Sequence, residues 1–429
     1  MSHSSLNAPP PTRRLSGDFW KFWAGQTISN LGSSFTGFAL PLLIFKLTGS
    51  ALNLALASAV HFLPYLLFGL LIGAWVDRVN RKRLMIAADI GRALVIASIP
   101  LLASFGLLSI WWIYVVGFLN STLTICFDSS EFAAIPSLVK QDDLVTANGR
   151  IQASYSAAAV AGPLLAGLLL AIVPVQTILL VDSTSFLISA ASLAIIRISF
   201  NNSARTQARP TSIRQDIVEG LRYVLSHPVL RNISLMMALV NFVGSTTYAQ
   251  LVLFAKERLL ASDAQIGVLY SAGSVGIIVL SLAAGPLRKR WPFSTVALTA
   301  LMLQGLLTIV LAFTRWYWAA LPLQALMSGL GILFNINTGS LRQAIVPNHM
   351  LGRVISIAGV LAWSAIPLGT FIGGLLIDRT GNVAIVYAGI GIVTFLIPLV
   401  FWFTPLGQAE RYLPGAEMPK ELEPVGASN

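Results

Sequence analysis

Charge is scarce in this sequence. Asp, Glu, Lys and Arg make up 10% of its 429 residues, against roughly 25% in an ordinary soluble domain. Such a chain cannot give itself a water-facing surface of normal extent. Cysteine is almost missing: Cys126 stands alone, which excludes an internal disulfide and argues against a Cys-built metal site. Catalytic signatures are missing too. No Gly-x-x-x-x-Gly-Lys-Ser/Thr loop is present to cradle a phosphate, no His-Glu-x-x-His pair occurs, and no nucleophile constellation stands out. These absences argue against an enzyme and against an ATP-driven pump. No cofactor and no metal are expected.

What the chain has instead is apolar length. It is 55% hydrophobic, with a mean hydropathy of +0.76. The apolar residues come as long blocks, and a helix needs about 20 of them to cross a bilayer core. About twelve such blocks run over approximately 20–46, 51–75, 84–104, 108–135, 146–172, 176–196, 230–255, 264–287, 293–313, 316–340, 354–377 and 383–404. The expected fold is an all-α membrane protein with about 12 transmembrane helices in two six-helix bundles. The first block is too long for a signal h-region and no small-residue cleavage site follows it, so it reads as retained.

The net charge of +11 could suggest nucleic acid, but its placement does not. With the N-terminus inside, most of the 28 Lys and Arg residues fall in cytoplasmic ends and loops. Only Lys46, Lys256, Arg258, Arg315 and Arg379 fall outside, and Arg92 lies within a helix. That asymmetry is the positive-inside rule. It predicts cytoplasmic termini, a multi-pass protein of the plasma (inner) membrane and contact with membrane lipids, with no nucleic-acid partner.

The longest polar interruption divides the chain into an N-terminal tail (1–17), a first bundle (18–196), a linker (197–229), a second bundle (230–405) and a C-terminal tail (406–429). The linker holds a capping-box pattern, Ser212-Ile213-Arg214-Gln215, followed by apolar residues at helical spacing up to His227-Pro228. It reads as an amphipathic helix at the inner membrane face, or alternatively as a partly ordered tether. The halves repeat. Asn30 matches Asn241, Gly73 matches Gly285, Phe127 matches Phe334, Leu144 matches Leu351, Gly162 matches Gly369 and Gly167 matches Gly374, all at nearly one shift. Internal repeats that rock about a shared substrate site are the recurring architecture of secondary transporters.

Two motifs then narrow the class. The turn after the second block reads Gly73-Ala74-Trp75-Val76-Asp77-Arg78-Val79-Asn80-Arg81-Lys82-Arg83. Positive-inside bias explains the bases but not the acid, which can pair with a cation or cap a helix N-terminus and so act as a conformational latch. Here the chain resembles the major facilitator superfamily, whose pattern Gly73, Asp77, Arg78, Arg81 and Lys82 fill. The second copy, Gly285-Pro286-Leu287-Arg288-Lys289-Arg290, has Lys289 where Asp77 stands, so the latch belongs to the first half. The fifth block carries Gly149, Ala158, Gly162, Pro163, Ala166 and Gly167, which resembles the antiporter motif of superfamily exporters with two glycines replaced by alanine. Small residues at this spacing give a smooth packing face and the proline a bend, and generic helix packing is the competing explanation. Phe62-Leu63-Pro64-Tyr65-Leu66-Leu67-Phe68-Gly69, Ala88-Asp89-Ile90-Gly91-Arg92-Ala93 and Glu219-Gly220-Leu221-Arg222-Tyr223-Val224-Leu225 look like the macrolide-efflux and siderophore-exporter branch. That branch also includes lysophospholipid carriers.

Ionisable groups inside a bilayer are costly and mark function by default. Asp89 and Arg92, spaced i,i+3, read as a mutually neutralising structural pair linked to the latch. Asp128 and Glu131 share a helix face with no base beside them. Nearby carboxylates in a low-dielectric cleft tend to share one proton, which suits proton coupling; pairing with Arg78 or Arg150 at the inner rim is the rival reading. Asp182 stands alone, to carry a proton, to meet a cationic substrate, or to be hydrogen-bonded by Ser183 and Ser185. The superfamily resemblance implies a cavity lined by the first, fourth, seventh and tenth helices, with Asn30, Phe35, Asn120, Thr124, Asn241, Tyr248, Asn335 and Asn337 near mid-depth. Amides and aromatics with no mid-depth arginine suit an amphiphile with hydrogen-bonding groups, and not a strongly anionic one. The leading expectation is therefore a monomeric antiporter exporting a small amphiphilic molecule against protons. An uptake or lipid carrier of the same superfamily is the alternative, and a membrane sensor without transport the remote one.

Overall fold

The computed structural model describes residues 16–76, 79–139, 143–200, 213–347 and 350–413, and within them the chain is helical with no strand. The first bundle comprises α1 (Gly17–Thr48), α2 (Ala51–Val76), α3 (Arg81–Ser104), α4 (Ile110–Leu138), α5 (Leu144–Leu169) and α6 (Val175–Ala194). A linker helix, α7 (Ile213–Ser226), precedes the second bundle. That bundle holds α8 (Pro228–Ala249), α9 (Leu251–Glu257), α10 (Asp263–Arg290), α11 (Phe293–Phe313), α12 (Tyr317–Ile345), α13 (Leu351–Trp363), α14 (Ala365–Thr380) and α15 (Val383–Trp402). Among the described residues, 12 spans are long and apolar enough to cross a membrane.

Local chemistry sets the span ends. Ser16 caps α1 by accepting the Phe19 N–H, and Gly49, at φ 59°, closes it in the left-handed region open to glycine. Ser262 and Gln265 form a reciprocal capping box at the start of α10. Tryptophans stand exposed at both rims. Trp111, Trp112, Trp316 and Trp318 mark one end, and Trp20, Trp75, Trp291 and Trp402 the other. This is the double belt that amphipathic rings form at two membrane–water interfaces.

Two spans expected to be continuous are broken. The block 354–377 is α13 and α14, divided at Ser364. Pro367 has no N–H to offer the carbonyl of Trp363, so the helical ladder loses a rung there. The block 230–255 divides at Gln250 between α8 and α9. No proline accounts for this break; the Gln250 backbone N–H still donates to the Thr246 carbonyl, and its side-chain amide donates to the Ala51 carbonyl of α2 at 2.7 Å. The predicted capping serine of the linker helix, Ser212, lies outside the described residues. Val224 of α7 is fully buried in a cluster with Leu230, Val346 and Val354. At the start of α8, His227 Nδ1 accepts the Leu230 N–H. Burial lowers the His227 pKa, which keeps the ring neutral, as an acceptor must be.

Residues that match between the halves do matching work. Phe127 and Phe334 are both buried. A side chain on Gly162 would strike Ser34 of α1, and one on Gly369 would strike the Phe242 backbone of α8 at 1.9 Å. The next pair joins the bundles: Gly167 meets Gly267 of α10, and Gly374 meets Ala55 of α2. Replacing Gly369 with valine forces two backbones apart and is expected to cost about 1–3 kcal/mol or more. Gly149→Val, where nothing lies within 4 Å, should be near neutral. Thermal unfolding of the two detergent-solubilised variants checks this contrast, and equal losses would refute it.

Candidate transport site

The bundles are joined at one end. Pro163 has no N–H, so the Ala159 carbonyl four residues back is left without its helical donor. Ser274 of α10 donates to that carbonyl at 2.7 Å, and Ser271 donates to the neighbouring Val160 carbonyl at 2.9 Å. The small residues of the α5 motif let two helices close on this stretch: Ala158 and Ala166 are buried, Gly162 admits α1 at Ser34, and Gly167 admits α10 at Gly267. Gly149 is exposed. At the rim, Lys46 of α1 and Lys256 of α9 both pair with Asp263 of α10. Together with the Gln250–Ala51 hydrogen bond, these joints lie in the half that contains the α1–α2 turn.

A polar core runs through the first bundle. Asp89 and Arg92 form an ion pair on α3 with Asp89 fully buried. Ser189 of α6 donates to the other Asp89 oxygen at 2.6 Å, and Gln26 of α1 donates to Ser189 at 2.9 Å. The Arg92 guanidinium lies 4.4 Å from the centre of the Phe127 ring and 4.3 Å from that of Phe186, a cation–π sandwich. Asp182 is equally buried and accepts from Thr36 of α1 and from Ser185. Ser183, expected to bond it, donates to the Ala93 carbonyl instead, because it projects toward α3 and Asp182 toward α1.

The other two acids meet open space. Asp128 is exposed, in electrostatic reach of Tyr65 on α2 and Tyr155 on α5. Those two helices carry the main contacts with the second bundle, α5 with α10 and α2 with α14, so the exposed Asp128 beside them faces the gap between bundles. It lies about 27 Å along α4 from the joined end, at 1.5 Å per residue. One turn on, Phe132 is 81% exposed. Glu131 is buried, with one oxygen accepting from Tyr155 at 3.0 Å and the other without a partner. Neither acid pairs with Arg150, whose guanidinium stacks on Trp20; Arg78 lies outside the described residues.

The expected cavity residues divide. Tyr248 is 65% exposed and Asn335 is exposed. Asn30 and Asn120 each keep one buried amide atom unpartnered. Thr124 donates to the Asn120 carbonyl of its own helix, and Asn241 is committed to the Ala362 carbonyl of α13. Two expectations are corrected. Asn337 is 2% exposed and bonds the Leu333 carbonyl of its own helix, because its face of α12 turns into the bundle. Phe35 is 5% exposed and lines a separate groove of about 350 Å³ between α1 and α6 with Ile28, Leu180 and Val181.

Of the latch residues, Gly73 lies in the last turn of α2, and Asp77 and Arg78 fall outside the described residues. Lys82 donates to the Ala194 and Ile196 carbonyls at the C-terminus of α6, and Arg81 donates to the Phe200 carbonyl at 3.3 Å. Cations are favoured at that end of a helix dipole. Sequence reasoning missed Tyr155, Thr36, Gln26, Ser189 and Phe132. Each is an ordinary residue of an apolar block, and only its neighbours from other helices distinguish it.

Twelve spans in two related helical bundles, joined at one end and carrying acids on the wall between them, define a membrane transporter rather than an enzyme. The chain belongs to the transmembrane secretion effector family of the major facilitator superfamily, whose family model matches residues 12–425. It is a multi-pass membrane protein. It is 26% identical over 366 residues to macrolide efflux protein A of Streptococcus pyogenes, spanning 85% of this chain and 90% of that one. It is likewise 26% identical over 387 residues to the multidrug efflux pump Tap of Mycolicibacterium fortuitum, spanning 87% and 92%. Two solved structures share its fold. A bacterial homologue of the iron transporter ferroportin, in an inward-facing state, aligns with a TM-score of 0.71 at 18% identity over 91% of this chain and 99% of that one. The nucleoside transporter NupG aligns at 0.72 with 11% identity over 90% and 98%.

The buried pair gives a stability prediction. Asp89→Leu alone strands Arg92 and should cost about 3–5 kcal/mol, whereas Asp89→Leu with Arg92→Leu should recover most of the loss. Thermal unfolding of the single and double variants decides it; a tolerated single variant would sink the assignment.

Proposed function

We propose that the protein exports small amphiphilic, drug-like molecules in exchange for protons, by rocking its two bundles about a central cavity. The observation that carries this reading is the Asp128–Glu131–Tyr155 group on the open side of the joint. Asp128 is reachable from the gap, and the free Glu131 oxygen is where a proton would complete a second hydrogen bond. With the basic rim inside the cell, the joined end is the outer one and the cavity opens to the cytoplasm. Phe132, Tyr248 and Asn335 offer it aromatic and amide surface, which fits an amphiphile.

Proton and substrate then compete for one state. Substrate entering from the cytoplasm meets Asp128 with Glu131 ionised and favours closing inward and opening outward. Protonation on the outer side favours release and the return. Coupling of this kind is reciprocal: whatever protonation does to substrate affinity, substrate does to proton affinity. The names of the relatives support efflux and suggest a macrolide as first probe.

Inside-out vesicles test the proposal. The native protein should concentrate a labelled macrolide when a proton gradient is imposed. Glu131→Gln and Asp128→Asn should lose gradient-driven accumulation by tenfold or more (about 1.4 kcal/mol or more) while still binding the compound. A Glu131→Gln variant that accumulates like the native protein would refute coupling at this group.

A further inference from the structure

Most arginines of this protein whose contacts are described find oxygen or ring partners. Arg92 has Asp89 and two rings, Arg258 has the Ala312 carbonyl, and Arg288 has the Trp291 carbonyl and the Phe293 ring. Arg342 of α12 differs. Its Nη2 lies 2.9 Å from the thioether sulfur of Met237 on α8, where the others meet oxygen or a ring; its Nε, like those of Arg92, Arg258 and Arg288, is buried without a partner. No carboxylate pairs with it among the described residues. A thioether is a weak acceptor, while a guanidinium carries five donors in a planar fork shaped for carboxylate or phosphate.

Register places this group on the cavity wall. Arg342 follows the exposed Asn335 by seven residues, two helical turns, and so shares its face of α12. Asn335 is the repeat counterpart of Asp128, which faces the same gap from the first bundle. Met237 lies on the face of α8 that carries Asn241 and the exposed Tyr248. Arg342 therefore stands about 10 Å nearer the open end than the level of Asp128. A cation in the last turn of α12 could be no more than a topology signal favoured by the helix dipole. Such a side chain would extend toward water, whereas this one folds across to a neighbouring helix, where Nη2 meets only a thioether and Nε meets nothing.

We propose that Arg342 is the substrate cavity's anion-recognising residue, receiving a carboxylate or phosphate group of the transported amphiphile. With Asp128 on the facing wall, the cavity then favours molecules that bear both a cationic and an anionic group. The inference rests on the transport reading above and names the substrate class for that site. It also revises the sequence-based expectation, which looked for arginine only at mid-depth.

Equilibrium binding to the full-length protein in phosphatidylcholine nanodiscs tests it, and needs no proton gradient, so failure here is distinct from failure of coupling. The probes are decyl phosphate, decyltrimethylammonium and inorganic phosphate, used below aggregation. Arg342→Gln should weaken decyl phosphate about tenfold or more, the worth of a charge-assisted hydrogen bond or two, and leave decyltrimethylammonium within about twofold. Arg342→Lys, which keeps the charge and loses the fork, should fall between. Competition by inorganic phosphate would show a site open to free anions, and its absence a site that needs the amphiphile's chain; either is compatible with anion recognition. Unchanged decyl phosphate affinity in Arg342→Gln, or equal weakening of both alkyl probes, would overturn the proposal.

Discussion

Hydrocarbon offers no hydrogen bonds, and every polar group within the spans must find its partner inside the protein. The structure is organised by that demand. Asp89 is neutralised by Arg92 and held by Ser189, which Gln26 holds in turn, so three helices are tied in one chain of bonds. Asp182 ties α6 to α1 through Thr36 in the same way. Even the backbone obeys: the carbonyl freed by Pro163 is taken up by a serine of the other bundle, and the break near Pro367 is covered by Asn241 at the Ala362 carbonyl. Polar atoms left without a partner stand out against this background. They include one Glu131 oxygen, an amide atom each of Asn30 and Asn120, and the Nε of Arg342, places where a proton or a ligand would have something to complete.

The duplication supplies a scaffold with two equivalent sets of close contacts, one inside each bundle and one between them. Gly162 and Gly369 do the first job; Gly167 and Gly374 do the second. Charge breaks the symmetry. The first bundle carries Asp89, Asp128, Glu131 and Asp182 within its spans, and the second carries Asn335 and Arg342 on α12. A cavity built between unlike walls can orient a polar amphiphile, whereas a symmetric one could only enclose it.

The arrangement of joints also explains how such a fold can move. Between the bundles the polar contacts are single hydrogen bonds and a rim cluster of Lys46, Lys256 and Asp263, each modest in strength when exposed or singly made, and an apolar cluster that includes Phe38 of α1 and Phe254 of α9 joins them at the same end. Within the first bundle the ties include the buried Asp89–Arg92 pair and its aromatic sandwich, which break only at high cost. Rigid bodies joined at one end, through non-directional apolar packing and a few polar contacts, can rock without unfolding.

Much of this was written in the one-dimensional pattern. Spans of twenty apolar residues, the bias of Lys and Arg, the repeat of Gly162 at Gly369, and the acids at 89, 128, 131 and 182 are all visible without coordinates, because the bilayer imposes length and polarity residue by residue. Tertiary structure alone decided the rest. Asn337 and Asn335 are two residues apart and chemically identical, yet one is spent inside its helix and the other faces the gap, since that depends on where neighbouring helices stand. Ser183 and Ser185 likewise part company, and Arg342 reads in sequence as one more inner-rim cation. Which partner a polar side chain meets is a property of helix packing across the chain, and no local pattern encodes it.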